Sequence, residues 1–284
     1  MLPRAAVVNH EVAADASSSR ALVVGTNHRM ANWAQALLED LGNHNVWRGP
    51  TICILSNVTA ADEAALRPLC EPTEAAFPLD AAFDPWRTAN YSFGASWNRL
   101  ELLYLARYRR FETLLWIDVD HRLLGHFDMA QFAASTALAL PHAFVPSKRL
   151  DRYRDLKLDH LDAQARRDLA RHAPQRRGEG VFSNKVMVIN TMLLAPPHAT
   201  KHWFLGLLRA YGPEVSRYME QGFLQLAYWN STSHLHADGL ARLQHLYGHA
   251  ACKEVVAATG QCPPYRRSPS HQQARSTHGP VVGN

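Results

Sequence analysis

What most limits the possible folds of this chain is a repeated alternation of short apolar runs with helical spacing. Residues 21–25 (Ala-Leu-Val-Val-Gly) and 51–55 (Thr-Ile-Cys-Ile-Leu) are continuous apolar stretches, the second closed by Ser56-Asn57. A run with no polar alternation reads as a strand covered on both faces. After the first run, Trp33, Leu37, Leu38 and Leu41 recur at helical spacing, with Gly42-Asn43 as the stop. After the second, residues 59–69 read as a helix with Thr59 as N-cap ahead of Asp62 and Glu63. Strand, helix, strand, helix at this pitch predicts a mostly parallel α/β sheet flanked by helices. The chain's 284 residues are enough for one large domain of that class, or two small ones, with a real core.

A third apolar run, Thr113-Leu-Leu-Trp-Ile117, ends abruptly in Asp118-Val119-Asp120. Strand alternation points both carboxylates the same way and Val119 the other way. Two acids side by side at the end of a buried strand repel unless a cation sits between them. Carboxylate oxygens suit magnesium or manganese, so Asp118 and Asp120 are candidate metal ligands; the plain alternative is two solvated loop acids. Ahead of this strand, Trp97, Leu100, Tyr104 and Tyr108 share one helical face, and Arg107, Arg109 and Arg110 crowd the end of that helix.

The rest of the chain organises around these runs. Residues 1–20 read as a flexible leader, 21–250 as one domain and 251–284 as an irregular tail. Residues 72–91 are irregular, and residues 137–140 and 186–189 are further short strands. Residues 148–180 form a charged insertion, helical in part, with acids interspersed among the basic residues, which reads as a solvated excursion. Helical spacing returns over 203–211 and 221–229 and fades beyond Asn230. The leader lacks the apolar segment of a signal peptide, and no apolar stretch is long enough to span a bilayer. The chain as given therefore reads as soluble and by default cytoplasmic; a Golgi lumen location requires a missing N-terminal anchor. Of the four cysteines, Cys53 reads as a buried small hydrophobe, while Cys252 and Cys262 are candidates to pair.

Several chemistries are disfavoured. There is no GxxxxGK[ST] loop, no GxGxxG after a strand and no GxSxG elbow. The absence of CxxC argues against a cysteine zinc site. A net charge of +5 is too small to call for a nucleic-acid partner. The histidines leave weak options: His245 with His249, His234 with His236, and His278 as a late third metal ligand.

The order of the motifs is more informative than any one of them. It runs from Thr26-Asn27 through Trp97-Asn98-Arg99-Leu100, the Leu-Trp-Ile-Asp-Val-Asp run, Leu124 to Asp128, Phe182-Ser-Asn-Lys-Val-Met-Val-Ile-Asn190 and Glu220-Gln221-Gly222. This order resembles the glycosyltransferases of family 8, the group that includes glycogenin and bacterial galactosyltransferases, over about residues 21–230. The resemblance implies a GT-A fold, with a nucleotide-sugar site at the carboxyl ends of the strands. It further implies that Asp118 and Asp120 hold manganese (or magnesium) against the donor diphosphate, with Val119 between them at the nucleotide-sugar site. Thr26 and Asn27 would lie by the nucleoside, and Arg99 would reach the diphosphate or sugar. Ser183, Asn184, Glu220 and Gln221 would face the transferred hexose. The implied reaction moves a hexose from a nucleotide-diphosphate sugar, with UDP as carrier, to a glycan, lipid or protein acceptor with retention of configuration; a homodimer stays open.

Three positions depart from the family pattern. Lys185 stands where a glycine would let backbone approach the sugar, Glu220 replaces an aspartate, and only Thr277-His278-Gly279 resembles the family's C-terminal metal-histidine segment. Two other classes therefore stay open: a non-catalytic nucleotide-sugar-binding protein on the same scaffold, and a His/Asp metallohydrolase.

Overall fold

The computed structural model describes residues 19–43, 46–76, 98–123, 132, 134–140, 156–173, 185–211, 220–235 and 243–245. Strands β1 (Arg20–Asn27), β2 (Thr51–Ser56), β3 (Glu71–Glu74) and β4 (Thr113–Ile117) alternate with helices α1 (Ala31–Asn43) and α2 (Ala60–Leu66) and, before β4, the short α3 (Glu101–Tyr104). After β5 (His121–Leu123) and β6 (Leu138–Leu140) come α4 (Ala163–His172), β7 (Val186–Asn190), α5 (Pro197–Tyr211), α6 (Glu220–Ala227), β8 (Thr232–His234) and β9 (Leu243–His245).

Seven strands form one sheet in the order β3-β2-β1-β4-β7-β6-β8, and β5 pairs with β9 in a two-stranded ribbon. The strands β1 to β4 are mutually parallel, and β7 runs against both β4 and β6. The chain leaves β1 toward β2 and β3, then returns to place β4 on the other side of β1. That reversal makes the carboxyl ends of β1 and β4 a topological switch point, where open α/β sheets bind ligands. Because β7 is reversed, its amino end reaches the same edge, with Val186 opposite Ile117.

The apolar runs are continuous because both faces of the sheet are covered. Val23, Ile54, Leu114, Trp116 and Met187 pack under Leu103, Tyr108, Phe204 and Phe223. Their neighbours Val24, Cys53, Leu115, Ile117 and Val188 pack under Leu37, Leu41 and Leu66 of α1 and α2. Thr59 caps α2 in a reciprocal capping box with Asp62, as its sequence predicts.

Four expectations change. The helix expected from Trp97 to Tyr108 is broken within the described residues: a 3-10 turn (Asn98–Leu100) leads into α3, Leu105 is extended, and a second 3-10 segment (Ala106–Arg110) follows. The break lets Arg107 fold back onto the fully buried Glu101 at 2.9 Å, and lets Arg109 bind the carbonyls of Leu103, Thr191 and Ala195. Burial, reinforced by Glu101, pushes the Tyr104 and Tyr108 phenols well above their ordinary range. β3 runs into the start of the stretch expected to be irregular; Pro72 is accommodated because β3 is an edge strand. The charged insertion is not wholly a solvated excursion, since Leu156, Leu161 and Leu169 join the first core. Beyond Asn230, β8 and β9 form by pairing with distant strands, a long-range effect that local periodicity does not register.

Cys53 is buried, as expected, but is disulfide-bonded to Cys70, 17 residues on. The bridge closes the β2–α2–β3 crossover, tying β2 to the residue just before β3. Cys252 and Cys262 lie outside the described residues. A bridge over a loop of this length stabilises by about 3 kcal/mol in the chain-entropy account. Reductant, or Cys70→Ala, is therefore expected to lower the thermal midpoint of unfolding, and calorimetry with and without dithiothreitol measures it. An unchanged midpoint, with the disulfide confirmed by intact mass, would contradict this contribution.

Candidate active site at the carboxyl edge of β1 and β4

The site is built around Trp116, the penultimate residue of β4. Its indole Nε1 donates to Asp118 Oδ1 at 2.6 Å, and the Arg99 guanidinium lies over its ring, 5.0 Å from the centroid. Arg99 Nη2 donates to the same Oδ1 at 2.8 Å. Asp118 is thus held by an indole and a guanidinium that also stack on each other, a cation–π contact strengthened by burial. A Cβ on Gly25 of β1 would come 2.4 Å from Trp116 Cη2. Glycine at that position is what lets the indole lie across the sheet. The 3-10 turn that presents Arg99 is tied to the end of β2 by Asn98 Nδ2, which donates to Ser56 Oγ at 2.6 Å.

Asp120 is held differently. His121 Nδ1 lies 2.9 Å from the Asp118 carbonyl and 3.2 Å from Asp120 Oδ1. Both are acceptors, so Nδ1 carries the proton. On the other side, Lys185 Nζ is 3.8 Å from Asp120 Oδ2, and the Asp118 amide donates to the Lys185 carbonyl at 2.8 Å. Behind the turn, Arg122 grips Asp40 of α1 through Nε and Nη2 at 2.5 and 2.8 Å, fixing β5 against α1. Val119 faces inward and packs in the second core, as alternation predicts.

The other expected site residues fall into two groups. Thr26 and Asn27 lie at the same edge with buried side chains. Thr26 Oγ1 donates to the Asn27 carbonyl, and Asn27 Oδ1 accepts from the Arg29 amide, so both shape the turn into α1. Glu220 opens α6, and Gln221 is half-buried in its first turn. Ser183, Asn184, His236, His249, His278 and the segment from Leu124 to Asp128 lie outside the described residues. Sequence reasoning missed His121 and the Asn98–Ser56 tie, and saw Lys185 only as an obstacle. The signal for His121 and Lys185 was their position: one follows the acidic triplet, and the other precedes the strand that pairs with it.

A hard divalent cation fits this site in ligand type. Carboxylate oxygens come from two residues on one turn, and the two described hydrogen bonds to the Asp118 side chain both fall on Oδ1. Among the described residues no group of three His, Cys, Asp or Glu side chains could hold a metal. The site suits a cation that takes one or two carboxylates and completes its shell with substrate phosphates and water, as magnesium and manganese do.

No family model matches the chain, and no curated protein matches it in sequence. Solved structures do. The galactosyltransferase LgtC in complex with donor and acceptor sugar analogs superposes with a TM-score of 0.55 at 13% identity, covering 90% of this chain and 99% of LgtC. An active-site mutant of LgtC gives 0.51 at 13% identity over 75% of this chain and 72% of that one. The bifunctional glycosyltransferase WbbM gives 0.53 at 14% identity over 77% of this chain and 39% of WbbM. The fold is that of the GT-A glycosyltransferases. Asp118 and Asp120 follow the carboxyl end of β4, at the kind of switch point where open α/β sheets in general bind ligands.

Two outcomes are expected. Gly25→Ala should cost about 1–3 kcal/mol through overpacking against Trp116, read by denaturant unfolding; a neutral variant would contradict the close approach. Arg122→Ala should cost about 3–5 kcal/mol, because it leaves the Asp40 carboxylate buried without its guanidinium. Loss of less than about 1 kcal/mol in the same assay would mean that the pair behaves as a surface salt bridge.

Proposed function

We propose that this protein is a metal-dependent glycosyltransferase that moves a hexose from a nucleotide-diphosphate sugar, with UDP as carrier, to a hydroxyl acceptor. The observation that carries this reading is the Asp118–Asp120 pair at the switch point of a GT-A sheet, with the first carboxylate locked by Arg99 and Trp116. Carboxylates do not bind a diphosphate directly. They bind it through a divalent cation, manganese or magnesium, which when bound neutralises charge that grows on the leaving diphosphate.

The chain's own residues have separate tasks. Asp118 and Asp120 hold the cation. Trp116 and Arg99 fix the first carboxylate, and Arg99 adds positive charge beside it, where leaving-group charge increases toward the transition state. His121 donates Nδ1–H to the Asp118 carbonyl, which holds the turn that carries the second carboxylate, with Asp120 Oδ1 3.2 Å from the same nitrogen. Thr26 and Asn27 shape the turn beside the nucleoside. Ser183, Asn184, Glu220 and Gln221 are assigned to the transferred sugar, and His278 to a third ligand position, by resemblance to family 8. That resemblance also supports retention of configuration. Among the described residues no helix is long and apolar enough to cross a membrane. The Cys53–Cys70 disulfide supports work in an oxidising compartment over the cytoplasmic default.

The test pairs binding with turnover. UDP or a UDP-hexose with manganese should raise the thermal midpoint, because a ligand that binds only the native state stabilises it. Asp120→Asn should fold normally and lose metal-dependent release of UDP from a UDP-hexose by a factor of about 100 or more, or about 2.7 kcal/mol of transition-state stabilisation. Undiminished release in that variant would overturn the metal assignment. A midpoint shift without turnover in the wild type, with acceptors supplied, would favour the non-catalytic binding protein.

A further inference from the structure

The two carboxylates of the site are balanced by two cations of different character. Arg99 and Asp118 are locked together: their side chains are 4% and 19% exposed, the contact is 2.8 Å and Trp116 braces both. Lys185 and Asp120 are looser, with side chains 35% and 23% exposed and 3.8 Å between Nζ and Oδ2. The backbone of Lys185 is fixed, since its carbonyl accepts the Asp118 amide and the next residue, Val186, pairs with Ile117. Its ammonium stands at the end of a four-methylene stem whose bonds rotate, 3.8 Å from the carboxylate.

We propose that Lys185 is a tethered counter-ion that a divalent cation must displace from Asp120, so that metal and donor nucleotide load together. The proposal rests on the nucleotide-sugar reading of the same site. A divalent cation on Asp120 Oδ2 would meet the Lys185 ammonium beside the same oxygen as a like charge, whereas Arg99 is hydrogen-bonded to Oδ1 of Asp118 and leaves that carboxylate's second oxygen to the ion. Metal entering alone must push Lys185 into water against its attraction to Asp120. A diphosphate arriving with the metal brings the negative charge that takes the ammonium over. The result is positive coupling between metal and nucleotide, and linkage makes it reciprocal: each raises the affinity for the other by the same factor. Arg99, buried and braced, stays on Asp118 throughout and keeps the first carboxylate in place.

The full chain is titrated with Mn2+ and the free ion is read by electron paramagnetic resonance, with and without UDP. Wild type should bind Mn2+ weakly alone and about tenfold more tightly with UDP, within the ordinary range of coupling of roughly 5–150-fold. Lys185→Met, which keeps the stem and removes the charge, should bind Mn2+ about tenfold more tightly without nucleotide and lose most of the effect of UDP. Equal nucleotide-free affinity in wild type and Lys185→Met, or no Mn2+ binding by either, overturns the proposal. Mn2+ retained when Asp120→Asn is added to Lys185→Met places the ion elsewhere and also overturns it. UDP binding is followed separately by calorimetry. Its absence from both proteins would contradict the nucleotide-sugar reading, while the nucleotide-free Mn2+ comparison would still decide the role of Lys185.

Discussion

The structure depends on one stack at the switch point: Arg99 over the Trp116 ring, with both donating to Asp118 Oδ1. Trp116 and Asp118 come from the end of β4 and Arg99 from the turn before it, and each needs the others. Trp116 fits only because Gly25 of the neighbouring strand has no side chain. Arg99 reaches it because the segment before β4 is a broken set of short turns, tied to β2 through Asn98 and Ser56. Buried charge on Arg99 is tolerated because Asp118 neutralises it at once. A carboxylate set this firmly at a sheet edge is preorganised for a ligand, and helps one more than a mobile acid would.

The second carboxylate is deliberately different in setting. Asp120 sits in the turn after β4, where His121 and Lys185 approach it from β5 and from the start of β7. The reversal of β7 is what brings Lys185 there: a parallel strand in that position would present its carboxyl end instead. The turn is anchored from behind by the Arg122–Asp40 pair. A rigid first ligand beside a second one with an exchangeable partner is a sound arrangement for a cation that must enter and leave with substrate.

Much of the fold was legible because the apolar runs are short, continuous and correctly spaced, the direct imprint of strands covered on both faces. Val23, Cys53 and Trp116 are all buried, as continuous apolar runs predict. What local pattern could not show was anything set by distant partners. β8 and β9 exist by pairing with β6 and β5, β3 tolerates Pro72 only as an edge strand, and the break at Leu105 reflects Arg107 returning to Glu101. Of the site, Asp118, Asp120 and Arg99 were legible and are brought together. Thr26 and Asn27 close the carboxyl end of β1 with buried side chains. Lys185 was legible only as a missing glycine; its place beside Asp120 depends on the β4–β7 register, which no single-sequence pattern encodes.

Asp118 and Asp120 are proposed to hold a divalent cation against a donor diphosphate. Crystals grown with UDP and Mn2+ and measured at the manganese absorption edge test it most directly. The account predicts one anomalous peak within coordination distance of both carboxylates and of the diphosphate oxygens, with Arg99 still on Asp118 and the Lys185 ammonium off Asp120. Nucleotide bound at another edge of the sheet, or Mn2+ bound away from both aspartates, would contradict it.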